Sequence, residues 1–151
     1  MLSFNRSVFA LALLACTAAG SLAARAVDDI DAAPGAPDLT AVRAKIEAKN
    51  YKAAITELKG LAETNEQADV FNLLGFSLRK TGDFTTSLTY YNKALALDPN
   101  HKGAREYLGE LYVETGNLPK AKEQLAALEK LCPAGCEELE DLKHDIAAKA
   151  Q

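Results

Sequence analysis

Two cysteines near the end of the chain, Cys132 and Cys136, are the residues with the clearest capacity for chemistry. With His144 they offer two thiolates and an imidazole, a soft ligand set that suits Cu(I). A thiol redox or copper-handling protein is therefore one interpretation of the sequence. Against it, three residues separate the cysteines where thioredoxin-like motifs have two, and no strand pattern accompanies the pair.

The same two cysteines can instead form a disulfide. The chain has three cysteines, and Cys16 lies in a segment that we expect to be removed or lipidated on export. An even pair is then left in an oxidising compartment. Pro133 and Gly135 favour a tight reversal that can bring the two Cα atoms to the ~5.5–6 Å that a disulfide needs. Acidic residues after Cys136 disfavour a reactive thiolate, so we favour the disulfide and keep the reactive pair as the alternative.

No catalytic motif can be assembled from the rest of the sequence. It contains two histidines, His101 and His144, and lacks the Gly-x-Ser-x-Gly, phosphate-loop and His-Glu-x-x-His patterns. We interpret His101 as a solvated residue in a turn between repeats. The sequence therefore predicts a protein that is not an enzyme, without catalytic residues, metal or cofactor, which acts through a surface.

The first 26 residues have the pattern of a secretory signal peptide. Asn5-Arg6-Ser7 precedes an uncharged run over residues 8–24. Small residues then allow cleavage after Ala26, at Ala24-Arg25-Ala26, or after Ser21-Leu22-Ala23. An uncleaved membrane anchor is disfavoured because Ala, Thr, Gly and Ser fill the second half of the run. We expect residues 1–26 to be a signal peptide and the mature protein to be exported to the periplasm.

A lipid anchor is the alternative location signal. The segment Leu13-Leu14-Ala15-Cys16 resembles a bacterial lipobox, in which Cys16 would be lipidated and become the mature N-terminus. Leu14 is bulky for its place, and the apolar run continues past the cysteine. The protein would then be an envelope lipoprotein anchored through Cys16.

The charge balance disfavours one class of partner. The chain has 17 basic and 21 acidic residues and a net charge of −4. Removing residues 1–26 takes away two arginines and no acid, so the mature chain carries −6. We therefore expect no nucleic-acid partner.

A countable repeat organises the rest of the chain. Residues 27–37 contain two prolines and no apolar period, which indicates a flexible lead before a domain over 38–151. Within that domain several residue types recur at a separation of 34. The recurring pairs are Leu74 and Leu108, Gly75 and Gly109, Gly82 and Gly116, Leu97 and Leu131, and Pro99 and Pro133.

The residues within one copy have helical spacing. Phe71, Leu74, Gly75 and Leu78 fall on one face of a 3.6-period helix, and a second apolar face follows from residue 84. The small residues Gly75 and Ser87 would allow the two helices to approach closely. Each copy therefore predicts an antiparallel helix pair.

Polar residues and glycines mark the predicted helix ends. Asn50, Asp83 and Asn117 stand before the second helices, where their side chains can accept from backbone N–H groups, and Asn100 can do so before another helix. Gly82 and Gly116 can take the left-handed conformation that ends first helices. After the third copy, an amphipathic helix with three buried-face residues can cover the apolar end of the array. These residues are Leu139, Leu142 and Ile146.

This pattern resembles the tetratricopeptide repeat, a helix-turn-helix unit of 34 residues. Leu74-Gly75, Ala94 and Pro99 match the family in the clearest copy, and Phe71 stands where the family usually has Trp. The resemblance implies an all-α, alpha-alpha superhelix of about three repeats and a C-terminal capping helix. The repeats would span about 38–67, 68–101 and 102–135, with the capping helix over 136–149 and the first copy degenerate.

The resemblance also implies a binding surface, the concave groove lined by the first helices. Its residues would be Asp69, Asn72, Phe76, Arg79, Gly103, Glu106, Glu110 and Val113. Phe76 is either a packing contact to the next first helix or an anchor for an apolar side chain of a partner.

These features predict a protein–protein interaction adaptor in the cell envelope. Its groove would bind a peptide or helix of another envelope protein. Homo-oligomeric assembly through an uncapped flank of the first repeat is a further alternative.

Overall fold

The computed structural model describes residues 37–150, and these form α-helices without a strand. The all-α prediction is confirmed for this part of the chain. In chain order the helices are α1 (Thr40–Glu47), α2 (Tyr51–Thr64), α3 (Ala68–Lys80), α4 (Phe84–Leu97), α5 (Lys102–Glu114), α6 (Leu118–Leu131) and α7 (Glu137–Lys149). None of the described helices has the length and hydropathy to cross a membrane.

The predicted signal peptide over residues 1–26, the lipobox cysteine Cys16 and nearly all of the lead over 27–37 lie outside the described residues. Export and lipidation therefore stay predictions.

Short polar side chains begin the second helix of each repeat. The side-chain oxygens of Asn50, Asp83 and Asn117 accept from backbone N–H groups three residues later, at 3.4, 3.2 and 3.3 Å. The three predicted caps are confirmed. The cap of α5 is His101 rather than Asn100, because the His101 Nδ1 atom accepts from the Ala104 N–H at 3.2 Å.

Left-handed residues end the first helix of each repeat. Gly82 and Gly116 have φ values of 86° and 79°, as the sequence predicts. The first repeat places Lys49 at the corresponding position, with φ 56°. The left-handed conformation is sterically less favourable for a residue with a Cβ than for glycine, so the first repeat departs from the other two at this position.

Close approach of α3 and α4 sets the geometry of the central repeat. The Ser87 hydroxyl donates to the Gly75 carbonyl oxygen at 2.7 Å, and both residues are buried. The ring of Tyr91, which is fully buried, lies against Gly75. Small residues thus let the backbones approach, and a large ring fills the space beside them.

Apolar side chains form three clusters along the array. One lies between α1, α2 and α3, a small one joins Phe71, Ala94 and Ala104, and the largest lies between α5, α6 and α7. Leu139, Leu142 and Ile146 are buried in the last cluster. The terminal helix α7 therefore covers the end of the array as predicted, packing against both α5 and α6.

Candidate functional site

The predicted binding residues lie on α3 and α5, which contact each other directly. We call the face that they form the groove. It comprises the residues Asp69, Asn72, Phe76, Arg79, Gly103, Glu106, Glu110 and Val113. Their exposure differs more than the sequence suggests. Asp69 is exposed, Phe76, Gly103 and Glu110 are half-buried, and the other four are buried.

Phe76 packs between repeats. Its ring centroid lies 4.9 Å from that of Tyr107 on α5 and 6.3 Å from that of Tyr51 at the start of α2. Of the two interpretations left open by the sequence, the packing contact to the next first helix is therefore the one observed. The sequence did not predict Tyr51 and Tyr107 as partners of Phe76. For Tyr107 the reason is that the equivalent position in the preceding repeat is Leu73, which gives no aromatic signal.

Arg79 is buried beneath the groove rather than presented to a partner. Its guanidinium pairs with the carboxylates of Glu110 and Glu114, both on α5. It also lies 5.5 and 5.8 Å from the ring centroids of Phe76 and Tyr107, within cation–π range. Arg79 therefore joins the second and third repeats. The sequence placed it on the correct face but gave no signal for its partner Glu114.

Val113 belongs to the apolar core. It is 8% exposed and lies in the cluster between α5, α6 and α7. Its place in the predicted groove set reflects helical position alone, and its burial makes it a structural residue.

Asn72 has an unusual environment for a polar side chain. It is 5% exposed, and its Oδ1 atom is buried without a hydrogen-bond partner among the described residues. A Cβ atom on Gly103 would lie 3.5 Å from the Asn72 Nδ2 atom, which is ordinary van der Waals contact. A buried amide oxygen without a donor is costly, so Asn72 is a strained part of the packing between α3 and α5.

His101 is part of the groove's edge. Its Nδ1 atom accepts from the Ala104 N–H, so Nε2 carries the proton that can be donated to Asp69 Oδ1 at 3.3 Å. This hydrogen bond is the main cause that lowers the pKa of Asp69. The interpretation of His101 as a solvated turn residue was wrong, because both ring nitrogens have partners and the side chain is 15% exposed.

A cavity of about 550 Å³ opens beside this pair. Its walls include Asp69, His101 and Lys102 from the repeats and Glu138 from α7. The groove therefore continues past α5 onto the start of the terminal helix, which the sequence did not predict.

Glu106 is a buried carboxyl group. It is 7% exposed and has no hydrogen bond or ion pair with residues 37–150. Burial raises its pKa from the usual 4.5 to about 8, and the neighbouring acids Glu110, Asp141, Glu138 and Glu137 contribute in the same direction. At neutral pH this side chain is therefore mostly protonated.

The raised pKa of Glu106 predicts how stability varies with pH. The folded chain holds this proton up to about pH 8 whereas the unfolded chain loses it near 4.5, so stability falls as pH rises between these values. The glutamine of Glu106→Gln cannot lose a proton. The free energy of unfolding of this variant, taken relative to that of the wild type, should therefore rise between pH 5 and pH 8 by an amount on the order of a few kcal/mol. Urea unfolding at the two pH values measures this. Equal differences between variant and wild type at both pH values would contradict the assignment.

Cys132 and Cys136 are brought together as the sequence suggests. Cys132 ends α6 and Cys136 precedes α7, their Cα atoms lie 5.8 Å apart and their sulfur atoms are within bonding distance. A carboxylate oxygen of Glu138 lies within 4.8 Å of both sulfurs, and this is the one such group of three ligands found in residues 37–150. His144 is outside the group, with a side chain that is 83% exposed. The Cys, Cys and His set considered for copper is therefore not assembled.

Part of the chain is similar to known proteins. Residues 78–142 match the family model of the tetratricopeptide repeat. The uncharacterized protein ycf37 of Guillardia theta is 32% identical over 74 residues, which are 49% of this chain and 41% of that protein. The chain thus spans less than half the length of this relative.

Several solved structures have a similar fold. PcrH, in complex with the chaperone binding region of PopD, has a TM-score of 0.65 at 17% identity, over 73% of this chain and 86% of that one. SycD, a type III secretion translocator chaperone of Yersinia enterocolitica, has a TM-score of 0.61 at 15% identity, over 72% and 83% of the two chains. The likeness establishes the helical-repeat superhelix predicted from the sequence.

Proposed function

We propose that this chain, a tetratricopeptide repeat protein, is an adaptor that holds a segment of another cell-envelope protein in its groove. The observation that carries this proposal is the cavity of about 550 Å³ whose walls come from the start of α3, the turn before α5 and the start of α7. The solved complexes of PcrH contain the chaperone binding regions of PopD and PopB, which supports segment binding by this fold.

The groove favours a segment over a folded surface. Its accessible part is the cavity of about 550 Å³, with Asp69 and Lys102 providing charges of opposite sign. An extended or helical segment can insert side chains into such a space, whereas the flat contact of two folded domains would leave it empty. Asn72, Arg79 and Val113 do not contribute contacts to a partner, since all three are buried within the chain.

Site-specific photo-crosslinking in envelope extracts of the source cell tests the proposal. A photoreactive residue at Lys102, which lines the cavity, should crosslink a discrete partner, whereas one at Asn92, exposed on α4, should not. Asp69→Asn, at the wall of the cavity, should weaken capture about tenfold, the effect of losing a hydrogen bond to a charged group worth about 1.5 kcal/mol, while Asn92→Ala should leave it unchanged. Equal crosslinking from both positions, or unaltered capture by Asp69→Asn, would refute groove binding.

The location of this activity follows from the expected signal peptide, and export is part of the proposal. We further propose that Cys132 and Cys136 are oxidised to a disulfide that holds α7 to α6. Free-thiol counting on the unreduced, denatured mature chain should give no labelled thiol at these positions. Two labelled thiols would return the reactive or copper-handling alternative to consideration, with Glu138 in place of His144 as the third ligand.

A further inference from the structure

Five acidic residues meet where the middle of α5 faces the start of α7. Glu106 and Glu110 come from α5, and Glu137, Glu138 and Asp141 from α7. Glu110 is paired with Arg79, whereas no cation pairs with Glu106 among the described residues. The N-terminus of α7 offsets part of the negative charge through its helix dipole. The carboxylates of Glu137, Glu138 and Asp141 have no paired cation among the described residues.

A cavity of about 240 Å³ occupies this place. It is lined by Gly103, Glu106, Tyr107, Glu137, Glu138 and Asp141. Glu106 is the decisive member, because it is more than nine-tenths buried, lines the cavity and has no partner within residues 37–150. Burying an unpaired carboxyl group is costly, and a cation that enters the cavity would remove that cost.

The arrangement fits an extended organic cation better than a metal ion. In residues 37–150 the one group of three His, Cys, Asp or Glu ligands within 4.8 Å of one another is Cys132, Cys136 and Glu138. The carboxylates of the cavity therefore do not converge as Mg²⁺ or Ca²⁺ coordination needs. A guanidinium group carries five N–H donors spread over a plane and can bridge separated carboxylates. Tyr107 adds an aromatic wall on which such a plane can stack.

We infer that the cavity between α5 and α7 is a subsite for an arginine side chain of the partner segment, bound by Glu106 together with Glu138 and Asp141. The inference rests on the proposed adaptor function, because it specifies which side chain of the partner segment binds at the α7 end of the groove. Glu138 lines both this subsite and the larger cavity beside His101, so one segment can occupy the two. Binding the cation draws the proton from Glu106 and releases it to solvent.

Short peptides test the subsite without knowledge of the partner. The probes are acetyl-Gly-Arg-Gly-amide, the same peptide with lysine, and the same peptide with citrulline, which keeps the shape of arginine but has no charge. The ¹⁵N-labelled full chain is titrated with each probe and amide shifts are followed by NMR. The arginine peptide should cause saturable shifts at Gly103, Glu106 and Asp141, with a Kd of about 1 mM or below, in the range of a small ligand that makes few contacts.

Charge and pH provide the discriminating results. Arginine binding should tighten by up to about a hundredfold from pH 6 to pH 9, because a carboxyl group with a pKa of about 8 is about 1% ionised at pH 6 and about 90% ionised at pH 9. At pH 9 it should weaken at least tenfold in Glu106→Gln, which should also lose the pH dependence, whereas the exposed control Glu129→Gln should behave as the wild type. The unfolding measurements on Glu106→Gln described above show whether that variant is folded.

Four outcomes would overturn the inference. They are equal shifts with citrulline, equal or tighter binding of the lysine peptide, unchanged binding in Glu106→Gln at pH 9, and displacement of the arginine peptide by micromolar Ca²⁺ or Mg²⁺. Failure here would leave crosslinking at Lys102 unaffected, because that position reports on the larger cavity. The adaptor function and the arginine subsite can therefore fail separately.

Discussion

Replacing Arg79 with methionine should lower the free energy of unfolding by about 3 kcal/mol, the typical cost of breaking a buried ion pair by removing one partner. The Arg79 side chain is 2% exposed and pairs with Glu110, which is 15% exposed, and with Glu114. Methionine fills much of the same space but leaves the carboxylate of Glu110 without its cation. Burial already raises the pKa of Glu110, and Arg79 opposes that shift, so the unpaired carboxyl group would titrate higher still.

A second substitution separates the charge from the packing. Glu110→Gln in the Arg79→Met background removes the uncompensated carboxylate, and it should restore part of the lost stability. Urea unfolding of the wild type, the two single variants and the double variant provides the interaction free energy. Additive losses in the double variant would mean that Arg79 contributes through packing on Phe76 and Tyr107 alone.

Gly75→Ala should destabilise the chain by about 2–3 kcal/mol, in the range found for overpacked cores. A Cβ atom at Gly75 would lie 2.8 Å from two ring carbons of Tyr91, closer than van der Waals contact allows. The ring has no room to retreat, because Tyr91 is fully buried and Ser87 is hydrogen-bonded to the Gly75 carbonyl. The helices α3 and α4 must therefore separate.

The matched control for this change is Gly60→Ala. Gly60 lies on the exposed side of α2, and a Cβ there would meet no atom within 4 Å. Alanine should stabilise the chain by about 0.5–1 kcal/mol at this site, because it is the better helix former. Thermal unfolding of the two variants should therefore shift Tm in opposite directions. A similar shift for both would mean that the close approach of α3 and α4 is not what requires Gly75.

The recurrence at 34 residues predicted the helix pairs, their caps at Asn50, Asp83 and Asn117, and the terminal helix. These features depend on local chemistry, which is complete within a stretch of a few residues. The spacing of residues on one helix also placed Asn72, Phe76 and Arg79 on the same face. This spacing could not predict how far the three side chains are buried, because their burial depends on how closely the next repeat packs against them.

Pairing between repeats was the part that the sequence could not supply. The contact of Arg79 with Glu114 and that of His101 with Asp69 each join positions more than thirty residues apart. Many charged residues of either sign occupy such positions, and only the rotation between neighbouring repeats selects the pair that meets. The acidic cavity has the same origin, since Glu106 and Asp141 face each other through the angle at which α7 packs on α5.

The packing of each helix chiefly against its neighbours along the chain has a consequence for kinetics. Contacts of short sequence separation cost little loop-closure entropy, so the array should fold in the micro- to millisecond range typical of helical proteins of low contact order. Three separate clusters can also form in turn instead of all at once. The eight-residue α1 lies at one end of the described array and packs chiefly against α2, whereas α5 has packed helices on both sides. Opening under native conditions should therefore begin at α1 and reach the α5–α7 end last.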